Sequence, residues 1–142
     1  MTQLIEGGTH VDNRGTIRFV NDFDMSPVKR FYRIAHPDVS VVRAWQGHRK
    51  EAKYFTCVKG SFLVCGVKID DFENPSSGLK AEKYILKAAE PSVLHLPAGY
   101  ANGIKALEPD SELMVFSDKT IEEAAGDQIR FDNGLWFDWS KY

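Results

Sequence analysis

The stretch RAWQGHRKEAKYFTCVKGSF, residues 43–62, sets a guanidinium (Arg43), a carboxamide (Gln46), an imidazole (His48) and an ammonium (Lys53) into what otherwise reads as apolar strand. Such groups are costly where a small β-protein closes its interior, unless they face a ligand or one another. Each has a chemistry to offer. An imidazole of ordinary pKa, about 6.5, can take or give a proton at physiological pH. A fixed lysine can offset developing negative charge, and a planar guanidinium suits bidentate contact with an anion. Gln46 cannot take a proton, but it can donate and accept hydrogen bonds. A plainer role stands beside each of these. Arg43 can solvate a strand end, Lys53 can snorkel to water, and His48 can be held by a neighbour such as Glu51 or Tyr32. Between Arg43 and Lys59 there are five Lys or Arg against one acid, Glu51. That excess suits a diphosphate, or it is a solvated face.

The elements that position these groups read as short strands. Apolar or period-two runs occur at 16–21, 30–35, 40–45, 54–58, 61–67, 83–86, 92–96, 103–106 and 112–117, with turn residues such as Asn13-Arg14-Gly15, His36-Pro37-Asp38, Lys59-Gly60 and Pro97-Ala98-Gly99 between them. This spacing predicts an antiparallel sandwich or barrel. Thr120-Ile121-Glu122-Glu123 is a capping-box pattern, so one short helix is predicted over 121–125, stopped by Gly126. The aromatic segment 131–139 is expected to pack on the body or on a second subunit. Cys57 and Cys65 flank Lys59-Gly60; a hairpin there would set Cys57 opposite Phe62 and Cys65 opposite Tyr54, so both read as small apolar residues. His36 reads as an exposed turn residue and Phe19 as core. His95 is either directed into the barrel or a satisfied core histidine.

A chain of 142 residues with 43% hydrophobic content is the length of one domain, 1–142. A net charge of −2 and a pI near 6.1 offer no general attraction to nucleic acid or anionic lipid. No stretch has the length of a membrane span. The start, MTQLIEGG, has no basic segment leading into an apolar run, so the cytoplasm is the expected location.

The frame resembles that of the cupins. Their metal-binding members carry His-x-His, four residues, Glu, six residues, Gly, and later Pro-x-Gly-x-x-His. Here Gln46-Gly47-His48 is followed by four residues, Lys53, six residues and Gly60, and later by Pro97, Gly99 and Asn102. Only His48 keeps its type among the four ligand positions. An ammonium in that ring repels a divalent cation and carboxamides are poor ligands, so no metal and no cofactor are expected. The resemblance implies an all-β chain folded as a double-stranded β-helix, the jelly-roll barrel of cupins, with the one short helix near its C-terminus.

A narrower resemblance follows from Asp12-Asn13-Arg14-Gly15, Lys29-Arg30-Phe31-Tyr32, Arg43-Ala44-Trp45-Gln46-Gly47-His48, Lys53, Gly60-Ser61, Pro97 to Gly103 and Asp132 to Trp139. Their order is similar to that in the dTDP-4-dehydrorhamnose 3,5-epimerase superfamily, and closest to its short dTDP-sugar 3,4-ketoisomerase, or WxcM-like, group. The likeness implies a metal-free homodimer acting on a small-molecule partner, a nucleotide-linked 4-keto sugar of surface-polysaccharide synthesis, by enolisation beside the ketone. It implies phosphate contacts at Arg43 and Arg14, with a plain turn arginine as the other reading of Arg14. Lys53 is implied at the enolate and His48 as acid or base, while Tyr32 either donates a proton or simply packs. Gln46, Asn102 and Tyr100 are candidate substrate contacts, Tyr100 with a core role as its alternative. The sequence departs from the pattern where the relatives carry their principal histidine (Gln46), the histidine after Pro-x-Gly (Asn102) and the epimerase tyrosine (Val115). Isomerase chemistry and non-catalytic binding of an anionic sugar are therefore both open, with a metal oxygenase well behind.

Overall fold

The computed structural model describes residues 1–142. Its strands are β1 (Gln3–Glu6), β2 (Gly8–Asp12), β3 (Gly15–Phe19), β4 (Arg30–Ala35), β5 (Val42–Gly47), β6 (Lys53–Lys59), β7 (Ser61–Lys68), β8 (Glu82–Lys87), β9 (Ser92–Leu96), β10 (Tyr100–Ala106), β11 (Glu112–Ser117) and β12 (Ile129–Arg130), with the helix α1 (Ile121–Ala124) before the last of them. One sheet has the order β1-β9-β6-β11-β4 and a second the order β12-β5-β10-β7-β8, and β2 and β3 form a separate hairpin. Phe55, Leu94, Leu113 and Val115 from the first sheet interdigitate with Phe62, Val64, Leu86 and Ile104 from the second, which makes the sandwich core. Alternation does the sorting. On β11, Leu113 and Val115 are buried while Glu112, Met114 and Phe116 turn to the other face.

The runs at 30–35, 92–96 and 112–117 coincide with strands, and the others shift by a few residues at their ends. Thr120 caps the helix as expected: its side chain accepts from the Glu123 amide, and the Glu123 carboxylate accepts from the Thr120 amide. These bonds, together with the Lys29 ammonium, pull the Glu123 carboxyl down to about 2.

Lys59-Gly60 does not close a hairpin. β6 pairs with β9 and β11, whereas β7 pairs with β8 and β10, so the chain crosses from one sheet to the other at Gly60. Gly60 has φ +69, and a Cβ there would meet Ser111 Oγ at 2.2 Å, which makes glycine the residue that turns this corner. Cys57 accordingly sits opposite Leu113, and Cys65 opposite Gly103 and Lys83. Both thiols are free and buried, and burial pushes Cys65 up to about 12.

Two other expectations are corrected, and a third position, left open by the sequence, is placed. Phe19 is 37% exposed on the β2–β3 hairpin rather than in the core. His36 is half-buried, edge-on to Phe62 with centroids 5.5 Å apart, and both ring nitrogens are buried without a partner. Burial, and secondarily Arg43, lowers its pKa. His95 turns away from the barrel interior: its neighbours Leu94 and Leu96 fill the core, and its own ring stacks on Tyr54 at 4.6 Å.

The C-terminal aromatic segment packs on the outer face of the second sheet, where Trp139 joins Trp45, Leu63, Cys65, Val67 and Ala101. Trp45 Nε1 donates to the Leu135 carbonyl at 2.9 Å. Gly103 permits the contact, because a Cβ there would lie 2.6 Å from the Trp139 ring. No helix is long and apolar enough to cross a membrane.

Candidate functional site

A cavity of about 570 Å³ opens at one end of the sandwich. β4 contributes Arg30 and Tyr32, β5 Arg43 and Gln46, β6 Lys53, and β12 Arg130; His48 and Glu51 come from the β5–β6 connection, and α1 with its exit closes the rim. Arg43, Gln46, His48, Lys53 and Tyr32, all proposed from the sequence, therefore face one space.

Lys53 does not snorkel to water. It is 7% exposed, and Nζ donates to Tyr32 Oη at 2.8 Å. The inward face of β6, shared with Phe55 and Cys57, dictates that direction. No carboxylate pairs with the ammonium. Its partner is a neutral phenol, which leaves donor capacity toward the cavity. Tyr32 is the cross-strand partner of Val115.

His48 is 4% exposed. Its Nδ1 lies 3.1 Å from the Asp127 carbonyl and 3.3 Å from Glu51 Oε1, while Nε2 is buried with no protein partner. Desolvation, then Lys53, lowers its pKa; Glu51 and Asp127 oppose them. The ring is therefore neutral at pH 7. Asp127 organises the loop beneath it, its carboxylate accepting from the amides of Arg49, Lys50 and Glu51 at 2.9, 3.0 and 3.0 Å.

His48, Glu51 and Asp127 also bring ligand-type atoms within 4.8 Å of one another. Most of the carboxylate oxygens are already engaged. The Asp127 oxygens are taken by amides, Glu51 Oε2 accepts from Arg30 at 2.8 Å, and Lys53 adds a further positive charge alongside. This donor set suits a hydrogen-bonded network better than a divalent cation.

The cavity is cationic. Glu51 is tied to Arg30, whereas the side chains of Arg43 and Arg130 make no hydrogen bond or ion pair within the protein. They lie on paired strands, Arg130 opposite Gln46, and both also line an adjoining hollow of about 270 Å³. Two free guanidiniums at the mouth of a concave site favour a polyanion.

The remaining candidates lie off the lining. Arg14 is at the tip of the β2–β3 hairpin in an ion pair with Asp12 at 2.7 Å. Tyr100 belongs to the hydrophobic core. Asn102 is buried on β10, its Nδ2 3.4 Å from the Gln46 carbonyl. Arg30, Arg130 and Asp127 carry weight that the sequence reading did not assign them. Nothing local marks Asp127 or Arg130, since an acid after a helix stop and an arginine in a two-residue strand resemble ordinary surface residues.

Residues 1–133 match the family described as FdtA: WxcM-like, C-terminal. No curated protein matches the sequence significantly. Among solved structures, the chain is similar to the rmlC epimerase of Mycobacterium tuberculosis, with 21% identity, TM-score 0.77, and 97% of this chain and 74% of that one covered. It is similar to a double mutant of the QdtA 3,4-ketoisomerase from Thermoanaerobacterium thermosaccharolyticum in complex with TDP, with 21% identity, TM-score 0.69 and coverages of 92% and 87%. The dTDP-4-dehydrorhamnose 3,5-epimerase of Bacillus anthracis, with TDP and pyrophosphate bound, gives 17% identity, TM-score 0.78 and coverages of 97% and 84%. At these identities the likeness is one of fold, and it is the cupin-like jelly roll that the strand pattern and the retained turn motifs implied. With the family match spanning almost the whole length, the chain belongs to the FdtA, WxcM-like C-terminal family.

Proposed function

We propose that the protein is an isomerase or epimerase-like enzyme of nucleotide-sugar metabolism, acting on a dTDP-4-keto-6-deoxyhexose by enolisation beside the ketone. One observation carries this reading: a buried imidazole nitrogen without a partner, His48 Nε2, lines the same cavity as an ammonium that has no carboxylate, Lys53. The neutral imidazole takes the acidic proton next to the carbonyl. Lys53 and Gln46 hold the oxygen on which charge collects, and Tyr32, already accepting a hydrogen bond from Lys53, has its own proton to return. Arg43 and Arg130 meet the diphosphate. Structures of relatives with TDP, and with TDP and pyrophosphate, support a ligand of this class.

The competing reading is a non-catalytic cupin that binds a nucleotide sugar. Gln46 and Val115, where the resemblance calls for a base and an acid, favour it. Incubation with a dTDP-4-keto-6-deoxy sugar in deuterated buffer separates the two. The enzyme reading requires deuterium beside the ketone, whereas saturable binding with no exchange above background supports binding alone.

Arg43→Ala and Arg130→Ala are each expected to weaken dTDP binding about tenfold or more by calorimetry, since a charge-assisted bond contributes roughly 1.5–3 kcal/mol. A change below twofold in both would remove them from the phosphate site.

Under this reading the enzyme works in the cytoplasm, in surface-polysaccharide sugar synthesis, and as a homodimer. The β2–β3 hairpin leaves Val11 68% and Ile17 59% exposed, and Phe31 on the outer face of the first sheet is 64% exposed. Sedimentation should give about twice the 16.0 kDa chain mass. Val11→Ser with Ile17→Ser should shift it toward the monomer; a wild-type monomer at micromolar concentration would end the dimer reading.

A further inference from the structure

Glu51 is the one acid lining a cavity that otherwise collects cations, and it is 3% exposed. Its two oxygens are used differently. Oε2 accepts from Arg30 Nη2 at 2.8 Å and from Ser117 Oγ, so β4 and β11 hold it from two sides. Oε1 is left facing His48 Nδ1 at 3.3 Å, where the Asp127 carbonyl approaches the same nitrogen at 3.1 Å. A carboxylate and a carbonyl have no proton to give, so a nitrogen lying between them must carry one. In a neutral ring the other nitrogen is then bare. That other nitrogen is Nε2, buried and without a protein partner.

We propose that Glu51, clamped by Arg30 and Ser117, is a positioning residue that holds His48 as the Nδ1–H tautomer and so presents the Nε2 lone pair to the cavity. Calling Nε2 the reaction's base rests on the function proposed above; the tautomer does not. The arrangement also explains the use of an acid here. Sharing the cavity with His48 are Lys53 from β6, Arg30 and Tyr32 from β4, Arg43 from β5 and Arg130 from β12, while Asp118, just after β11, accepts from the Ala52 amide. Of the acids, Asp127 is occupied by three amides, which leaves Glu51 to offset Lys53 when the ring takes a proton.

The test compares wild type with Glu51→Gln, Glu51→Asp and Ser117→Ala, using long-range 15N–1H correlation of the His48 ring in the absence of any sugar. Wild type should show two well-separated nitrogens, with the unprotonated one assigned to Nε2. Glu51→Gln should bring them together as the tautomers mix, and should lower the imidazolium pKa by about one unit. Ser117→Ala, which leaves the charge in place, should give a smaller change in the same direction and serves if Glu51→Gln does not fold. Glu51→Asp should recover part of the wild-type pattern.

In the exchange assay the base must be unprotonated, so activity rises with pH through its pKa, and the acid limb of Glu51→Gln should move to lower pH by about the same unit. The maximal rate should fall about tenfold while dTDP affinity stays within about twofold. A wild-type ring with its proton on Nε2 would overturn the inference, as would an unchanged ring pattern in both Glu51→Gln and Ser117→Ala. Absence of exchange in wild type would remove the proposed reaction while leaving the ring result to stand alone. Exchange in wild type with an indifferent Glu51→Gln would remove the role of Glu51 and leave the reaction.

Discussion

His48→Gln is expected to cut deuterium incorporation beside the ketone by about 10²–10⁴-fold, the range that a positioned general base contributes. Glutamine is close to histidine in size, and its amide can still donate to the Asp127 carbonyl and to Glu51, so the loop keeps its main contacts. What it lacks is a basic lone pair near neutrality. Because burial and Lys53 hold the His48 pKa below its ordinary value, the wild-type ring is already neutral at pH 7, and the loss is not one of charge. dTDP affinity should accordingly stay within about twofold, since the guanidiniums of Arg43 and Arg130 are untouched. Exchange surviving at more than a tenth of the wild-type rate would mean that another group takes the proton.

Lys53→Met is expected to lower the exchange rate by about 10²–10³-fold, on the scale of removing one preorganised donor from an oxyanion site. Stability should move the other way, or hardly at all. Burying an amine that is 7% exposed and hydrogen-bonded to a phenol carries a desolvation cost, and methionine fills a similar volume without that cost. A midpoint of thermal unfolding equal to or above wild type, together with collapsed activity, is the signature of a group retained for function. A loss of more than about 2 kcal/mol in denaturant unfolding with near-normal exchange would make Lys53 a brace for Tyr32 instead.

What was legible in the sequence was local. Alternation on β11 and β9, the Thr120–Glu123 cap and the turn at Pro97–Gly99 depend on residues a few positions apart, and these sit where the pattern put them. Gln46, His48 and Lys53 fall on one short stretch, so part of the cavity wall could be read from local sequence. The misplaced pairings have one physical origin. A strand's side-chain period says which residues share a face, but it does not choose the neighbouring strand. Lys59-Gly60 therefore read as a hairpin, although the chain uses it to pass between sheets, and His95 was left open to the barrel interior, although its face packs on Tyr54.

By itself, then, the sequence determined an all-β frame and the residue types of a candidate site: an imidazole, an ammonium and a guanidinium on the stretch where metal-binding cupins carry their ligands. The tertiary structure decided which of these groups meet. Asp127 and Arg130 reach the site from about eighty residues further along, one folding the loop under His48 and the other standing beside Arg43; Glu51 is turned toward the imidazole only because β4 and β11 bring Arg30 and Ser117 to its far oxygen. Contacts of that kind leave no trace in spacing, because closing two sheets around a common core brings together residues that the chain itself keeps far apart.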